Sequence, residues 1–352
     1  MTDPRTRPSL TVMQSFPAPR ATSVNPYTRL LAESLEARGI RVVHFSWKAA
    51  LTSRFDVFHV HWPEILVEGH SPLKQVAREI LTVAFVLRLR LLRRPIIRTM
   101  HNLGRPEGLS RVQNAILGLI ERQTAVVVTL NESTTIDGGI PSVRIPHGHY
   151  RDWFAGFTRA EPIRGRGGYA GRIRRYKGVE LLLEAFAATR GLADGLSLRV
   201  AGHPSNRQLA DDVTDIAARD DRVELALGFI SDAQLVDIVT SSTAALLPYR
   251  FMHNSAAAIT ALSLGRPVVV PHNDVNEQLA IEVGPGWVRL FEGDLTPEAI
   301  VDALREPIPA TPPDLSAREW PAAAADHERA YRIALGEHVN DDVPVVTGSV
   351  SL

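Results

Sequence analysis

Short β-rich runs alternate with helical stretches along almost the whole chain, and the alternation begins twice. Residues 9–16, 40–45, 56–60, 95–100, 124–130 and 142–146 form the first series; 167–171, 196–201, 222–226, 243–248, 266–271 and 286–291 form the second. Strands separated by helices need crossover connections, which leave successive strands parallel in one sheet with helices on its faces. Two series therefore mean an α/β chain of two Rossmann-like, doubly wound domains, and 352 residues suit two domains of about 150 residues each. Between the series, Pro162, Gly165, Gly167 and Gly168 stand among charged residues, a composition that breaks helix and strand alike. The expected division is a first domain over 1–160, a second over 161–315, a helix over 316–338 packing back on the first, and an irregular tail over 339–352. Ligands of open α/β sheets sit beyond the carboxyl ends of the strands, so two such domains facing a cleft would line it with their loops.

Equal numbers of basic and acidic residues, 39 of each, remove any global pull toward nucleic acid or an anionic surface. No nucleic-acid partner is expected, and any anion site has to be local. With no cysteine there is no disulfide, thiolate metal site or cysteine nucleophile, which suits a reducing cytoplasm. Residues 1–8 lack the apolar core of a secretory signal, so export is not expected. The most apolar helical stretch, 77–92, is interrupted by Arg78, Glu79, Arg88 and Arg90 and falls short of the ~20 apolar residues that a bilayer span needs.

After its first strand the second domain reads Gly171, Arg172, Ile173, Arg174, Arg175, Tyr176, Lys177, Gly178 and then an amphipathic helix. Arg172 and Lys177 flank the helix start, where unpaired amides favour an anion, so a diphosphate is a natural ligand. From this stretch alone, a solvated basic loop fits equally well. After the strand ending at Leu247 comes a second such turn, with His253, Asn254 and Ser255 before an alanine-rich helix from Ala256. Asn254 or Ser255 would cap that helix, and the small alanines would let a ligand reach its amides. His253 reads either as a donor contact or as an exposed loop residue.

Residues 171–186 (GRIRRYKGVELLLEAF), 196–202 (LSLRVAG), 227–232 (LGFISD) and 261–270 (ALSLGRPVVV) resemble, in order and spacing, the donor-domain motifs of GT-B glycosyltransferases, particularly the GT4-like group. The resemblance implies that Arg172 and Lys177 grip the diphosphate of a nucleotide-sugar donor, and that Phe229 and Ile230 hold its base through backbone contacts. Many relatives carry two glutamates eight positions apart, the later one on the ribose; here Met252 and Thr260 stand in those places. Thr260, with His253, Asn254 and Ser255, is left to make those donor contacts.

The first domain carries histidines where its strands end: His61, Trp62, Pro63, Glu64 after one, His101 and Asn102 after another, His147, Gly148, His149, Tyr150 after a third. A loop over 15–27 with Pro17, Pro19 and Pro26 is expected to shape the acceptor pocket with them. Glycosyl transfer needs a base for the attacking hydroxyl and stabilisation of the departing diphosphate. Glu64 and His61 are the candidate bases, with His101 next, because GT-B relatives often have a cleft histidine at that strand end. His147 and Tyr150 are expected to line the cleft. The plainer alternative is that His61 and Trp62 only cap a strand and pack. His59 is expected to point away from His61, which would disfavour a two-histidine metal pair. With no Asp-x-Asp motif in the chain, no metal and no cofactor beyond the donor are expected.

Residues 61–63, 99–102 and 145–150 are similar to those of bacterial exopolysaccharide transferases that use GDP-mannose, including inverting β-mannosyltransferases, on lipid-linked oligosaccharides. UDP-sugars are the alternative donors, and a noncatalytic nucleotide-sugar or polysaccharide-binding protein is the rival class. A dinucleotide-dependent oxidoreductase would show a Gly-x-Gly-x-x-Gly turn after the first strand, and 14–25 contains no glycine. A lipid-linked acceptor implies peripheral contact with the inner face of the membrane. Residues 80–95, where Val83, Phe85, Val86, Leu87, Leu89, Leu91 and Leu92 sit beside Arg88, Arg90, Arg93 and Arg94, read either as a headgroup-layer helix or as core.

Overall fold

The computed structural model describes residues 10–19, 25–136 and 138–337. Within them every expected strand forms. The first six are β1 (Thr11–Gln14), β2 (Arg41–Val43), β3 (Val57–Val60), β4 (Ile96–Thr99), β5 (Thr124–Thr129) and β6 (Ser142–Arg144). They pair in parallel in the order β2-β1-β3-β4-β5-β6. The remainder are β7 (Arg166–Ala170), β8 (Ser197–Gly202), β9 (Val223–Leu227), β10 (Ala244–Leu246), β11 (Val268–Pro271) and β12 (Val288–Phe291), ordered β12-β11-β10-β7-β8-β9 and again parallel.

The β-branched runs explain these strands: Val126, Val127 and Val128, or Val268, Val269 and Val270, are covered on both faces and almost fully buried. One face of the first sheet holds Met13, Phe58 and Ile96 against Phe85 and Leu89 of the helix Pro72–Leu91, and this is the core that orients its strand ends.

Each sheet has one place where the strand order reverses, between β1 and β3 in the first and between β7 and β10 in the second. Loops leaving two such strands diverge to opposite faces and open a crevice. The loops with the most unusual composition, after β1 and β3 and after β7 and β10, are the ones at these two reversals.

Two compact units emerge: residues up to Gly148 together with those from Arg318 onward, and His149–Ala317. The first division falls a dozen residues before the Gly-rich linker at 159–168, because the intervening turn is tied to the second unit. The Tyr150 amide donates to Ser263 Oγ (2.9 Å), the Trp153 indole to Asp232 (2.9 Å) and the Arg151 guanidinium to the Pro313 carbonyl (2.6 Å). The helix Trp320–Ala334 packs on the helix Pro26–Ala37 and on β4 and β5. The tail and residues 20–24 of the proline-containing loop lie outside the described residues.

Candidate active site

In the second unit the chain leaves β7, passes Arg172 and Arg174, and makes a short turn over Arg175–Lys177 before the helix Val179–Ala187. Gly178 joins turn to helix in the left-handed region (φ 65°), and a β-carbon there would collide with the Pro248 carbonyl. Only glycine lets the loop after β7 pass so close to the loop after β10. The Arg250 amide donates to the Tyr176 carbonyl (3.1 Å), locking the two loops together.

The four cations of this turn divide in two. Arg175 is committed to Glu180 (2.9 Å) and Asp212 (2.8 Å), so it braces the turn. Arg172 and Arg174 are exposed and form no salt bridge with a described residue. Lys177 is largely buried, its ammonium 5.0 Å from the centre of the Tyr249 ring. Burial first, then the charges of Arg174 and Arg172, lower its pKa to about 8. A cluster that suppresses its own ionisation gains most from an added anion.

Tyr249 is buried beside Tyr169 and Ser255, and the Tyr169 hydroxyl donates to the Arg172 carbonyl (2.9 Å). Ser255 caps the helix Ala256–Ser263 by accepting from the Ala258 amide (3.2 Å). A row of neighbouring hydroxyls thus runs from the Arg172 turn to the second helix start. His253, Asn254 and Thr260 are half-buried beside it, and burial lowers the His253 pKa. Beyond β9, Phe229 is 83% exposed and Ile230 half-buried, at the edge of the same sheet.

In the first unit, His61, Trp62, Glu64, Thr99, His101 and Asn102 line one recess. Trp62 stacks on His101, with ring centres 4.2 Å apart and planes 17° off parallel. His61 is 2% exposed, with Nδ1 3.2 Å from His101 Nε2 and Nε2 3.0 Å from Gln14 Oε1. With both nitrogens engaged, His61 acts as a spacer held in place. Glu64 lies on the turn Pro63–Leu66, half-buried, its carboxyl pKa raised by burial and by the neighbouring Glu68 against the opposing pull of Arg98. His147 is buried against Tyr27 (ring centres 4.7 Å), while Tyr150 belongs to the other unit and is packed on Phe154.

The register corrects the expectation for His59. Residues two apart on a strand share a face, so His59 and His61 lie side by side, ring centres 4.2 Å apart. They still do not make a metal pair, because His59 is bonded to Tyr331 Oη and Thr99 Oγ1, each at 2.8 Å. Among the described residues no group of three or more His, Cys, Asp or Glu side chains could hold a metal ion.

Tyr27, Gln14 and Tyr331 went unnoticed in the sequence. Tyr27 meets His61, His101, His147 and Trp320, ring centres 4.7 to 5.7 Å away. Its only sequence signal is an aromatic residue placed just after a helix cap at Asn25.

The stretch 164–308, which carries both basic and capping loops of the second unit, matches the family model described as glycosyl transferases group 1. Over 335 residues, 94% of each chain, the protein is 37% identical to the GDP-mannose:glycolipid 4-beta-D-mannosyltransferase of Xanthomonas campestris pv. campestris. The chain belongs to the group 1 glycosyltransferases. The fold of this glycosyltransferase is that of GT-B enzymes. It is similar to the catalytic domain of starch synthase IV from Arabidopsis thaliana (TM-score 0.63, 13% identity, 94% of this chain and 99% of that one). Sucrose-phosphate synthase from Thermosynechococcus elongatus is also similar (TM-score 0.62, 17% identity, 94% and 100%). At these identities the two likenesses concern fold alone.

Proposed function

We propose that this glycosyltransferase moves mannose from GDP-mannose to a hydroxyl of a glycolipid, in the assembly of an exported polysaccharide. The observation that carries the reading is the 37% identity across 94% of the chain to a transferase named for that donor and acceptor class. The second unit holds the donor: Arg172, Lys177 and the amides at Asn254 and Ser255 take up the diphosphate charge, while Phe229 and Ile230 receive the base. These cations and helix amides supply the stabilisation of the departing GDP, with no metal ion required. His253 and Thr260 complete the donor contacts in place of the two glutamates.

The first unit holds the acceptor. Glu64 takes the proton of the attacking hydroxyl as its oxygen bonds to the anomeric carbon and the bond to the diphosphate breaks. A base works best when its pKa approaches the working pH, which favours a carboxylate raised by burial over His101, lowered to about 3. His101 and His147 are neutral partners for sugar hydroxyls, and His61 and Tyr150 hold the frame.

The helix Pro72–Leu91 supports the same reading. It buries Thr82, Phe85, Val86 and Leu89, while Leu73, Val76, Ile80, Leu87 and Leu91 lie exposed on the opposite stripe, with exposed Arg90 and Arg93 at its end. No helix among the described residues is long and apolar enough to cross a membrane. Such a stripe suits contact with the cytoplasmic bilayer face, where a lipid-anchored acceptor would be presented.

The test is direct: purified protein with GDP-mannose or UDP-sugars, and a lipid-linked oligosaccharide extract. Mannose incorporation with stoichiometric GDP release is expected. Thermal stabilisation by UDP but not GDP, or donor binding with no release under any acceptor, would overturn the assignment.

A further inference from the structure

Six side chains from four separate stretches of the sequence form one unbroken hydrogen-bonded line beneath the recess of the first unit. Thr99 Oγ1 meets His59 Nε2 (2.8 Å), and His59 Nδ1 meets Tyr331 Oη (2.8 Å). Tyr331 Oη accepts from Gln14 Nε2 (3.1 Å), and Gln14 Oε1 meets His61 Nε2 (3.0 Å). His61 Nδ1 then meets His101 Nε2 (3.2 Å). Gln14, His59 and Tyr331 are wholly buried and Thr99 and His61 nearly so, while His101 at the end of the line is half-buried against the recess.

Such a line has a direction. A neutral imidazole has one donor and one acceptor nitrogen, an amide donates only through nitrogen, and a phenol has a single proton. Because Gln14 Nε2 donates to Tyr331, the Tyr331 proton goes to His59 Nδ1, and His59 donates through Nε2 to Thr99. On the other side the Gln14 carbonyl requires a proton on His61 Nε2. His61 Nδ1 is then the acceptor, and His101 must donate to it through Nε2. The opposite polarity exists in principle, with the amide ends exchanged and every proton moved. The polarity that follows from the Gln14 amide orientation joins the strongest neutral donor, the phenol, to the strongest neutral acceptor, an imidazole nitrogen.

We propose that Gln14, held by Tyr331, is a positioning residue that sets the tautomers of His61 and His101, so that His101 carries its lone pair on Nδ1. This inference rests on the proposed sugar-transfer site only for its consequence, namely that His101 meets substrate as a hydrogen-bond acceptor. Proteins commonly select histidine tautomers through the partner of the second ring nitrogen.

The test reads the protons themselves. In uniformly ¹⁵N-labelled full-length protein, long-range ¹H–¹⁵N correlation of the imidazoles is expected to show His61 and His101 both protonated at Nε2. Tyr331→Phe removes a hydroxyl without opening the fold and frees the Gln14 amide to turn. Mixed or exchanged tautomers at His61 and His101 are expected, with kcat lowered roughly tenfold and the KM for donor unchanged. Gln14→Leu should do the same, whereas Gln14→Glu, which offers only acceptor oxygens, should keep the Nε2–H tautomer of His61. A proton on His61 Nδ1 in the wild type, or tautomers that persist in Tyr331→Phe and Gln14→Leu, overturns the proposal. Absence of mannose transfer by the wild type would refute the assigned reaction and leave the tautomer result standing.

Discussion

Lowering the pH should unfold the first unit through its buried histidines, and the size of the effect follows from their surroundings. Burial lowers the pKa of His147 and His327 to about 4 and of His101 to about 3, and drives His59 and His61 well below the ordinary value in the same direction. The folded state therefore resists protons that the unfolded chain accepts from about pH 6.5 downward, so stability is full above pH 6.5 and falls below it. A histidine that titrates near 6.5 unfolded and near 4 folded costs about 2 kcal/mol in going from pH 7.5 to pH 5. Three such groups remove about 6 kcal/mol, and His59 and His61 add to it, against a total stability of about 5–15 kcal/mol for a typical domain. The assay is urea unfolding followed by tryptophan fluorescence between pH 7.5 and 5, Trp47, Trp62 and Trp320 lying in this unit. Near pH 5.5 unfolding should take up at least about three protons, a slope of about 4 kcal/mol per pH unit. His327→Asn should reduce that uptake by about one proton. A change below about 1 kcal/mol across the whole range would refute the reasoning, since the buried imidazoles would then have to be charged or solvated in the folded state.

Other expectations concern the site. Arg172→Ala and Lys177→Ala should each weaken GDP-mannose binding by about 2 kcal/mol, read by calorimetry, while Arg175→Ala should chiefly lower the melting temperature. Because Lys177 titrates near 8 when the site is empty, donor affinity should fall roughly eightfold between pH 7.5 and 9 as binding comes to require proton uptake, and Lys177→Arg should flatten that profile. Glu64→Gln should leave donor affinity intact and lower kcat by about 10²-fold or more; near-wild-type turnover would remove Glu64 as the base. Replacing Leu73, Ile80 and Leu91 together by serine should abolish flotation with anionic vesicles without altering the fold, as checked by circular dichroism; unchanged flotation would exclude this stripe.

Strand positions were legible because β-branched runs and Gly-rich turns are local signals, and they located every strand to within a few residues. Local signals also marked the two loops at the strand-order reversal of the second sheet. Reading them further was less secure. The four cations of the Arg172 turn look alike in sequence, and only the nearness of Asp212 shows that Arg175 is a brace. Tyr150 sits one residue past His149 and looks like part of the His147 loop, yet its amide is bonded into the other unit. His59 was misplaced by a slip in strand periodicity. Gln14 and Tyr331 were beyond reach altogether: they are 317 residues apart, and nothing in either neighbourhood announces the other.

The return of the chain to its first unit at Arg318 bears on how the protein is made. A ribosome working from the N-terminus delivers β1 to β6 early, but Tyr331, which bonds His59, follows it by 272 residues. The half translated first is thus completed last, while the contiguous His149–Ala317 half can close as soon as it emerges. Until the final helix arrives, the nascent polypeptide carries an open groove beside β4 and β5, and a premature stop near residue 317 would strand it there.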